Sequence, residues 1–345
     1  MIATAILAAA SVLTDWTFHA EMTGAGTYRH ALVMSEKERD HLHMDGRAYL
    51  EFDGILGRSE VWINDVQAGE SVVFRPFRLD VTKLLQKGEN TVSVRVSPPD
   101  RDMFPSETAG IMREVRFCVH PHPHPIPGSL VICIESITNA QAHLIARYMT
   151  PWGRETRRWT VKSPRLWTPN DPYRYELDLF GQKFSYGIRT VCFNRSNGLV
   201  LNGCGLMING VVFDSRLGAF GLKEEDSELK RQLLAMKACG VNLICANRVP
   251  PSPRLYELCD ELGLLICDAT SAKPASISLN HPSDLTAAFA AKDVESFVGN
   301  FSMWKMEKPR RALLARGAQA IALRITPDPF QPDDPHALRF LRLEA

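Results

Sequence analysis

The hydrophobic pattern of the chain changes near residue 204. Before that point, short segments alternate apolar and polar residues between Gly, Asn and Asp, which predicts strands buried on one face. After it, continuous apolar runs such as "VNLICA" and "LLICDA" alternate with amphipathic segments. Strands that alternate with helices indicate βαβ units and a parallel sheet. The 345 residues are enough for two or three domains, so we expect β domains followed by an α/β domain.

The α/β pattern is clearest between Ser252 and Thr270, which predicts a helix, a tight turn and a buried strand. Gly263 is placed to end that helix, whose apolar stripe is Leu255, Leu258, Cys259 and Leu262. A second helix is predicted before Gly240, with the stripe Leu229, Leu233 and Met236. Further along, we expect a helix begun by Ser283 or Asp284, a strand at 301–306, a helix near Pro309 and a strand at 320–325.

The earlier strand segments predict two β-sandwiches, separated by the sequence "HPHPHPIP" at 120–127. Its prolines favour polyproline II, in which side chains two apart point to different faces. We therefore interpret this segment as a rigid linker, and not as a metal site.

Composition excludes several classes of function. The net charge of +1 gives no electrostatic basis for binding nucleic acid or an anionic membrane, and no apolar run is long enough for a transmembrane helix. The apolar N-terminus has no preceding Lys or Arg, which favours a cytoplasmic location over secretion, although a signal peptide stays an alternative. None of the eight cysteines forms a CxxC pair, so we expect buried free thiols and no structural metal.

Several motifs occur in the order found in one enzyme family. A first group is "YLEFDGILGRSEVWINDVQAG", "FRPFRLDVTKLLQKGENTVSVRV" and "GIMREV"; a second is "SPRLWTPNDPYRYEL" and "FSYGIRTV"; a third is "LVLNGCGLMINGV" and "LLAMKACGVNLICANRVPPSPRLYELCDELGLL". Over about residues 24 to 270, the chain resembles glycoside hydrolase family 2, the β-galactosidase and β-glucuronidase type. The resemblance implies a jelly-roll sugar-binding-like domain at 1–119, an immunoglobulin-like β-sandwich at 120–203 and a partial TIM-type (β/α) barrel at 204–345.

The resemblance also implies hydrolysis of terminal β-glycosides with retention, and carbohydrate as the ligand. That chemistry needs one carboxyl group as acid/base and another as nucleophile, held about 5–5.5 Å apart on a rigid rim. No cofactor follows from the motifs. Asp214, Asn247, Arg248 and Asp268 match rim positions where the family binds its substrate, and they are the candidate sugar ligands.

Three rim positions depart from the family pattern. The first strand is followed by Asp214 but no histidine, the second carries Cys245 at a polar position of the family, and Ala269 stands where an Asp-Glu pair would end. The family motif that closes on the acid/base begins at Asn280 with "NHPS", which brings Lys292 to the Glu position. A second register aligns "FSMWKMEK" and makes Glu307 the acid/base candidate, and we prefer it here because it supplies a carboxylate.

No candidate for the nucleophile is found, because five predicted strands leave no seventh strand to carry it. We therefore expect an impaired glycosidase. The alternatives are a non-catalytic carbohydrate-binding or assembly protein, and a truncated product without function. An open parallel sheet also exposes strand edges, which a homodimer would cover.

Overall fold

The computed structural model describes residues 9–21, 25–71, 74–98, 109–194, 198–213, 226–246, 250–268, 278–286 and 320–324. They group into two compact units. The first comprises Met1–Pro125 with Asp178–Lys183, and the second comprises Ile126–Leu177 with Phe184–Ala345.

The first unit is built from antiparallel sheets. One sheet has the order β2 (Thr17–Ala20), β3 (Gly26–Val33), β9 (Glu89–Ser97), β6 (Arg58–Ile63) and β7 (Val66–Ser71). Another has the order β1 (Ala9–Val12), β11 (Val115–His120), β4 (Arg47–Phe52) and β8 (Phe77–Asp80). The short strands β5 (Ile55–Leu56) and β10 (Gly110–Ile111) form a pair, and helix α1 (Glu36–His43) and a 3₁₀ turn (Thr82–Leu84) complete the unit.

Side chains from both large sheets fill one core, as the alternating pattern predicts. On β9, Val92, Val94 and Val96 point inward and are at most 1% exposed. They belong to the same cluster as Leu50 of β4 and Phe117 of β11. Fully burying each such side chain contributes about 1.5–3 kcal/mol before entropy is counted. This packing confirms the predicted jelly-roll β-sandwich.

The turn between β6 and β7 shows how the sequence sets the strand register. Ile63 pairs with Val66, so only Asn64 and Asp65 form the loop, and both have positive φ, at 49° and 63°. Two positive φ values define the type I′ turn that suits the twist of a β-hairpin, and Asn and Asp tolerate that conformation. The Asn64 side chain also accepts a hydrogen bond from the Thr91 N–H at 3.0 Å, which links the turn to β9.

The boundary between the two units falls after Pro125, within the histidine- and proline-rich segment predicted as a linker, but two of its histidines are packed. His120 is the last residue of β11, and His124 is 0% exposed. The two imidazole rings stack with their centroids 5.2 Å apart, and the hydroxyl of Tyr49 lies 3.2 Å from Nε2 of His124. His120 and His124 therefore belong to the packing of the first unit, because their imidazole rings lie against Tyr49 of β4, whereas His122 is exposed.

The second unit contains antiparallel and parallel sheets. Its antiparallel strands are β12 (Val131–Ile137), β13 (Gln141–Thr150) and β14 (Gly153–Lys162), and the group β17 (Val191–Asn194), β18 (Gly198–Leu201) and β19 (Cys204–Gly205). The hairpin of β15 (Tyr175–Leu179) and β16 (Gln182–Tyr186) is divided between the two units, because its central residues Asp178–Lys183 belong to the first. The boundaries at 119/120 and 203/204 stay predictions.

The parallel sheet has the order β22 (Leu265–Asp268), β21 (Leu243–Ala246), β20 (Ile208–Phe213) and β23 (Ala320–Arg324). Helices α2 (Asp226–Ala238) and α3 (Pro253–Leu262) connect its first three strands. The strand predicted at 320–325 is present, and it pairs with β20 in parallel. The strand predicted at 301–306 and the helix near Pro309 lie outside the described residues.

Helix α3 follows its sequence closely. The Ser252 hydroxyl accepts a hydrogen bond from the Leu255 N–H at 3.1 Å, which caps the first turn. Gly263 ends the helix with φ at 68°, a left-handed conformation that glycine adopts without strain. Leu255 and Leu258 are at most 1% exposed and pack with Ile266 of β22. The predicted helix, turn and buried strand are confirmed.

Candidate functional site

The carboxyl ends of the parallel strands are where a (β/α) barrel carries its active site. The four described parallel strands end there, at Phe213, Ala246, Asp268 and Arg324. The predicted ligand Asp214 follows the first of these strands, and Asn247 and Arg248 follow the second. All three lie outside the described residues, as does Glu307, so their assignments stay predictions.

Alternation along the strands sorts the site residues by face. Ile244 and Ile266 pack with Leu255 and Leu258 of α3 on the face that the helices cover. Cys267 clusters with Leu243 and Leu265 on the opposite face. Because side chains alternate along a strand, Cys245 shares the face of Cys267, whereas Asp268 shares the face of Ile266.

Asp268 is therefore a buried residue at the strand end. It is 6% exposed, and its backbone N–H donates a hydrogen bond to the Thr286 hydroxyl at 2.8 Å. Its role as a sugar ligand stays a prediction.

The two cysteines are direct register partners in neighbouring parallel strands. Their thiols are near enough for each to shift the pKa of the other. The interaction with Cys267 lowers the pKa of the Cys245 thiol. The same interaction, together with burial, raises the pKa of Cys267. The face of β21 opposite the helices thus presents the Cys245 sulfur at a position where the family resemblance implies a polar group.

The segment Ser278–Thr286 joins the antiparallel and parallel parts of the second unit. The Asn280 amide donates to the Leu130 carbonyl at 3.0 Å and accepts from the Ile132 N–H at 2.8 Å. The Leu279 N–H donates to the Ile132 carbonyl at 2.8 Å. The segment therefore satisfies backbone groups along the edge of β12 as a neighbouring strand would.

Asp260 of α3 is the centre of a buried polar network on the other side of this segment. Its carboxylate lies 2.7 Å from Nδ1 of His281 and accepts from the Ser283 N–H at 2.9 Å. Its backbone carbonyl accepts from the Trp167 indole N–H at 3.0 Å. Burial lowers the pKa of His281, but the hydrogen bond and charge of Asp260 outweigh burial and raise it. Asp260 is only 2% exposed, so His281 compensates its buried charge.

Arg189 also binds the segment Ser278–Thr286. Its guanidinium, in a residue only 1% exposed, donates to the Pro282 and Asp284 carbonyl oxygens. Burial lowers the pKa of Arg189 to about 10, which keeps the group charged at neutral pH. The buried charge is held by carbonyl dipoles, with Asp284 and Asp260 contributing favourable charge.

The residues after Ser283 run alongside β22. Asp284 forms a parallel bridge with Ile266, and the Leu285 N–H donates to the Ile266 carbonyl at 2.8 Å. The Asp284 carboxylate also accepts from the Thr286 N–H at 2.8 Å, a contact typical of a helix N-cap. The chain therefore occupies the position next to β22 immediately after "NHPS". The remainder of the helix predicted here lies outside the described residues.

Two features of this site were missed by sequence reasoning. One is the network around Asp260, whose partners lie more than twenty residues away. The other is the Cys245–Cys267 pair. A signal for it exists, because both strands carry the sequence Leu-Ile-Cys, and aligning the two copies side by side places the cysteines opposite each other.

Metal sites and membrane spans are absent from the part of the chain that the structure describes. Across the described ranges, no cluster of three or more His, Cys, Asp or Glu side chains could hold a metal ion. None of the described helices has the length and apolar character needed to cross a membrane. All eight cysteines are free thiols, but the predicted burial holds only for Cys118, Cys259 and Cys267, and three of the others, Cys192, Cys204 and Cys239, are exposed.

Comparison with known proteins identifies the family. A family model described as "Glycosyl hydrolase 2 galactose-binding domain-like" matches residues 13–152, and one described as "Glycosyl hydrolases family 2, TIM barrel domain" matches residues 194–297. A β-galactosidase of Bacteroides ovatus is 26% identical over 71% of this chain and 34% of its own length. A β-galactosidase of Priestia megaterium is 28% identical over 66% of this chain and 27% of its own length.

Solved structures agree with this fold. A Bacteroides uniformis β-glucuronidase, solved with a covalently bound cyclophellitol-6-carboxylate aziridine, aligns with a TM-score of 0.65 at 19% identity, over 92% of this chain and 52% of the other. The chain spans about a third or less of the length of the two curated relatives named above. Both family models match in the order in which the sheets occur along the chain, and together they cover most of it. The chain belongs to glycoside hydrolase family 2.

Proposed function

We propose that this polypeptide is a sugar-binding scaffold of the family that does not itself hydrolyse glycosides. The observation that carries the proposal is the state of the described strand ends. Among Phe213, Ala246, Asp268 and Arg324, only Asp268 has a carboxyl group, and it is 6% exposed on the side that faces the helices. Retaining hydrolysis requires two carboxyl groups that approach one sugar from opposite sides.

The register of the acid/base motif supports the same proposal. Asp284 pairs with Ile266 directly after "NHPS", which is the position of a fourth strand next to β22. The match to the barrel family model also continues to residue 297. Both observations favour the register in which Lys292 takes the Glu position, since Glu307 lies beyond the match. A lysine side chain provides no carboxylate for protonating the leaving oxygen in this register.

The ligand class follows from the relatives. Those named above are β-galactosidases and a β-glucuronidase. We propose a β-linked galactose or glucuronic acid unit as the ligand, with Asp214, Asn247, Arg248 and Asp268 as its contacts. Arg248 would favour the carboxylate of a glucuronide, because a guanidinium binds a carboxylate through two parallel hydrogen bonds.

We further propose a homodimer that covers the parallel sheet. Among the described residues, β23 is the outer strand next to β20. An uncovered outer strand would present unpaired backbone groups, which proteins pair or shield. A single monomeric species in analytical ultracentrifugation at micromolar concentration would refute the dimer.

The test combines turnover with binding. The purified chain is incubated with 4-nitrophenyl β-galactoside, β-glucuronide and β-mannoside, and binding of the free sugars is measured by calorimetry. We expect binding without release of nitrophenol, and weaker binding of glucuronate by Arg248→Ala. Hydrolysis that is lost in Glu307→Gln would contradict the proposal and establish the alternative register. Absence of both binding and hydrolysis would remove the sugar-binding function.

A further inference from the structure

We propose that Cys245 and Cys267 form an oxidisable thiol pair, which a hydroperoxide converts into an intrachain disulfide between β21 and β22. The inference is independent of the proposed function, because it concerns the sulfur atoms alone and requires neither sugar binding nor hydrolysis.

The backbone places the two residues directly opposite each other. Cys245 and Cys267 are register partners in adjacent parallel strands, between the pairs Ile244–Ile266 and Ala246–Asp268. Neighbouring strands lie about 4.8 Å apart. Disulfides join Cα atoms that are about 4.4–6.8 Å apart, so the bridge needs no change of strand register.

The two side chains also point the same way. Residues that pair directly across two strands share a face of the sheet, and both thiols lie on the face opposite α3. The thiols are near enough for each to shift the pKa of the other. Disulfide formation therefore requires rotation about the side-chain bonds but no change in which residues of the two strands are paired.

The two thiols differ in their exposure and in the direction in which their pKa values are shifted. Cys245 is partly exposed, whereas Cys267 is only 8% exposed. The interaction between the two thiols lowers the pKa of Cys245 and raises that of Cys267. Because the thiolate is the nucleophile, Cys245 is the residue that attacks an oxidant, and the adjacent Cys267 is the residue that resolves the product.

Other buried thiols lack this arrangement. Cys259 of α3 is 0% exposed, and burial raises its pKa well above the ordinary value. It belongs to the helix-covered cluster on the other face of the sheet. It serves as an internal comparison, because it is a buried thiol of the same unit that does not share the face of Cys245 and Cys267.

The chemistry proceeds in two balanced steps. The Cys245 thiolate attacks one oxygen of the hydroperoxide, the O–O bond breaks, and Cys245 becomes a sulfenic acid while the alcohol or water leaves. The Cys267 sulfur then attacks the Cys245 sulfur, the S–O bond breaks, and hydroxide leaves as water with the proton from Cys267. Two thiols are oxidised by two electrons, and one peroxide is reduced.

The experiment uses the full chain and hydrogen peroxide. Wild-type protein is oxidised, the remaining thiols are alkylated, and proteolytic peptides are identified by mass spectrometry without reduction. We expect a linked peptide pair containing Cys245 and Cys267, two hydrogen atoms lighter than the sum of the free peptides, which dithiothreitol separates. Cys259 should be alkylated only after denaturation.

Matched variants test whether the pair is specific. Cys204→Ser removes an exposed thiol and should leave the linked peptides unchanged, whereas Cys245→Ser should abolish them. Because Cys245→Ser could also affect folding, the wild-type map decides independently. Over-oxidation of Cys245 to sulfinic acid without a link, or a link from Cys245 to another cysteine, would overturn the proposal. So would unchanged thiol reactivity of Cys245 after peroxide treatment.

Discussion

Lowering the pH should destabilise the first unit through His120. Burial lowers the pKa of this imidazole to about 4, with the charges of His124, Arg78 and His41 acting in the same direction. Its buried Nε2 atom has no hydrogen-bond partner among the described residues, and Nδ1 lies 3.0 Å from Nε2 of Gln182. The folded unit thus favours the neutral ring, because a second proton would add charge where nothing accepts it.

The direction and size of the change in unfolding free energy follow from the difference between the pKa values of His120 in the folded and unfolded states. A histidine in the unfolded chain has a pKa of about 6.5, so below that pH the unfolded state binds the proton first. Stability is complete above about pH 6.5 and is lost as the pH falls towards 4. Between pH 7.5 and 5.0, the two pKa values give a loss of about 2 kcal/mol, which we reduce to between about 1 and 2 kcal/mol because the ring is partly exposed.

Urea unfolding at both pH values, followed by intrinsic fluorescence, measures this loss. His120→Asn removes the titrating group, so the drop in unfolding free energy between pH 7.5 and 5.0 should be smaller than in the wild type by about 1–2 kcal/mol. His19→Asn removes an exposed histidine of β2 and should leave the wild-type drop unchanged. The reasoning is refuted if His120→Asn and the wild type lose the same free energy.

Two further predictions concern the second unit. Gly263→Ala should lower the free energy of unfolding by more than about 2 kcal/mol, because φ is positive and an added Cβ would overlap the Pro169 carbonyl. The control Gly203→Ala has a similar φ but open space around the added Cβ, and should cost about 1 kcal/mol. Thermal or urea unfolding measures both losses. Asn280→Ala should lower the free energy of unfolding by about 1–3 kcal/mol, because it removes the side-chain partners of the Leu130 carbonyl and the Ile132 N–H. The control Asn139→Ala changes an exposed residue and should cost under about 0.5 kcal/mol. Equal losses within either pair would contradict the structural explanation.

Elements governed by local chemistry were predictable from sequence. The start, apolar stripe and end of α3 follow from Ser252, the spaced leucines and Gly263, all within a dozen residues. The β6–β7 hairpin likewise depends on two adjacent turn residues. The family motifs extended these local predictions to the order of the domains.

Features that depend on distant partners were not predictable in the same way. Strand β14 consists largely of exposed and charged residues and is held by pairing with β13 along its whole length, so its own pattern carries little signal. Strand β23 pairs with β20, which lies more than a hundred residues earlier in the chain. His124 is buried by contacts with β4, which no spacing within "HPHPHPIP" indicates.

The same limit applies to the candidate site. Family resemblance located the strand ends and the position of Asp268, which the structure places at the end of β22. Alternation along β22 assigns Asp268 to the helix-covered face, but its burial depends on tertiary contacts of distant residues, such as that of its backbone N–H with Thr286. Tertiary packing, and not residue identity, decides which groups a ligand could reach.

The most direct test of the proposed function uses the probe named in the comparison. Cyclophellitol-6-carboxylate aziridine is covalently bound in the solved β-glucuronidase of Bacteroides uniformis. The purified chain is incubated with this compound beside that enzyme as the positive control, and the intact masses are measured. We predict that the mass of this chain stays unchanged while the control gains one probe. A stoichiometric gain on this chain, located by peptide mapping to an Asp or Glu, would contradict the claim that it does not perform retaining glycosidase chemistry.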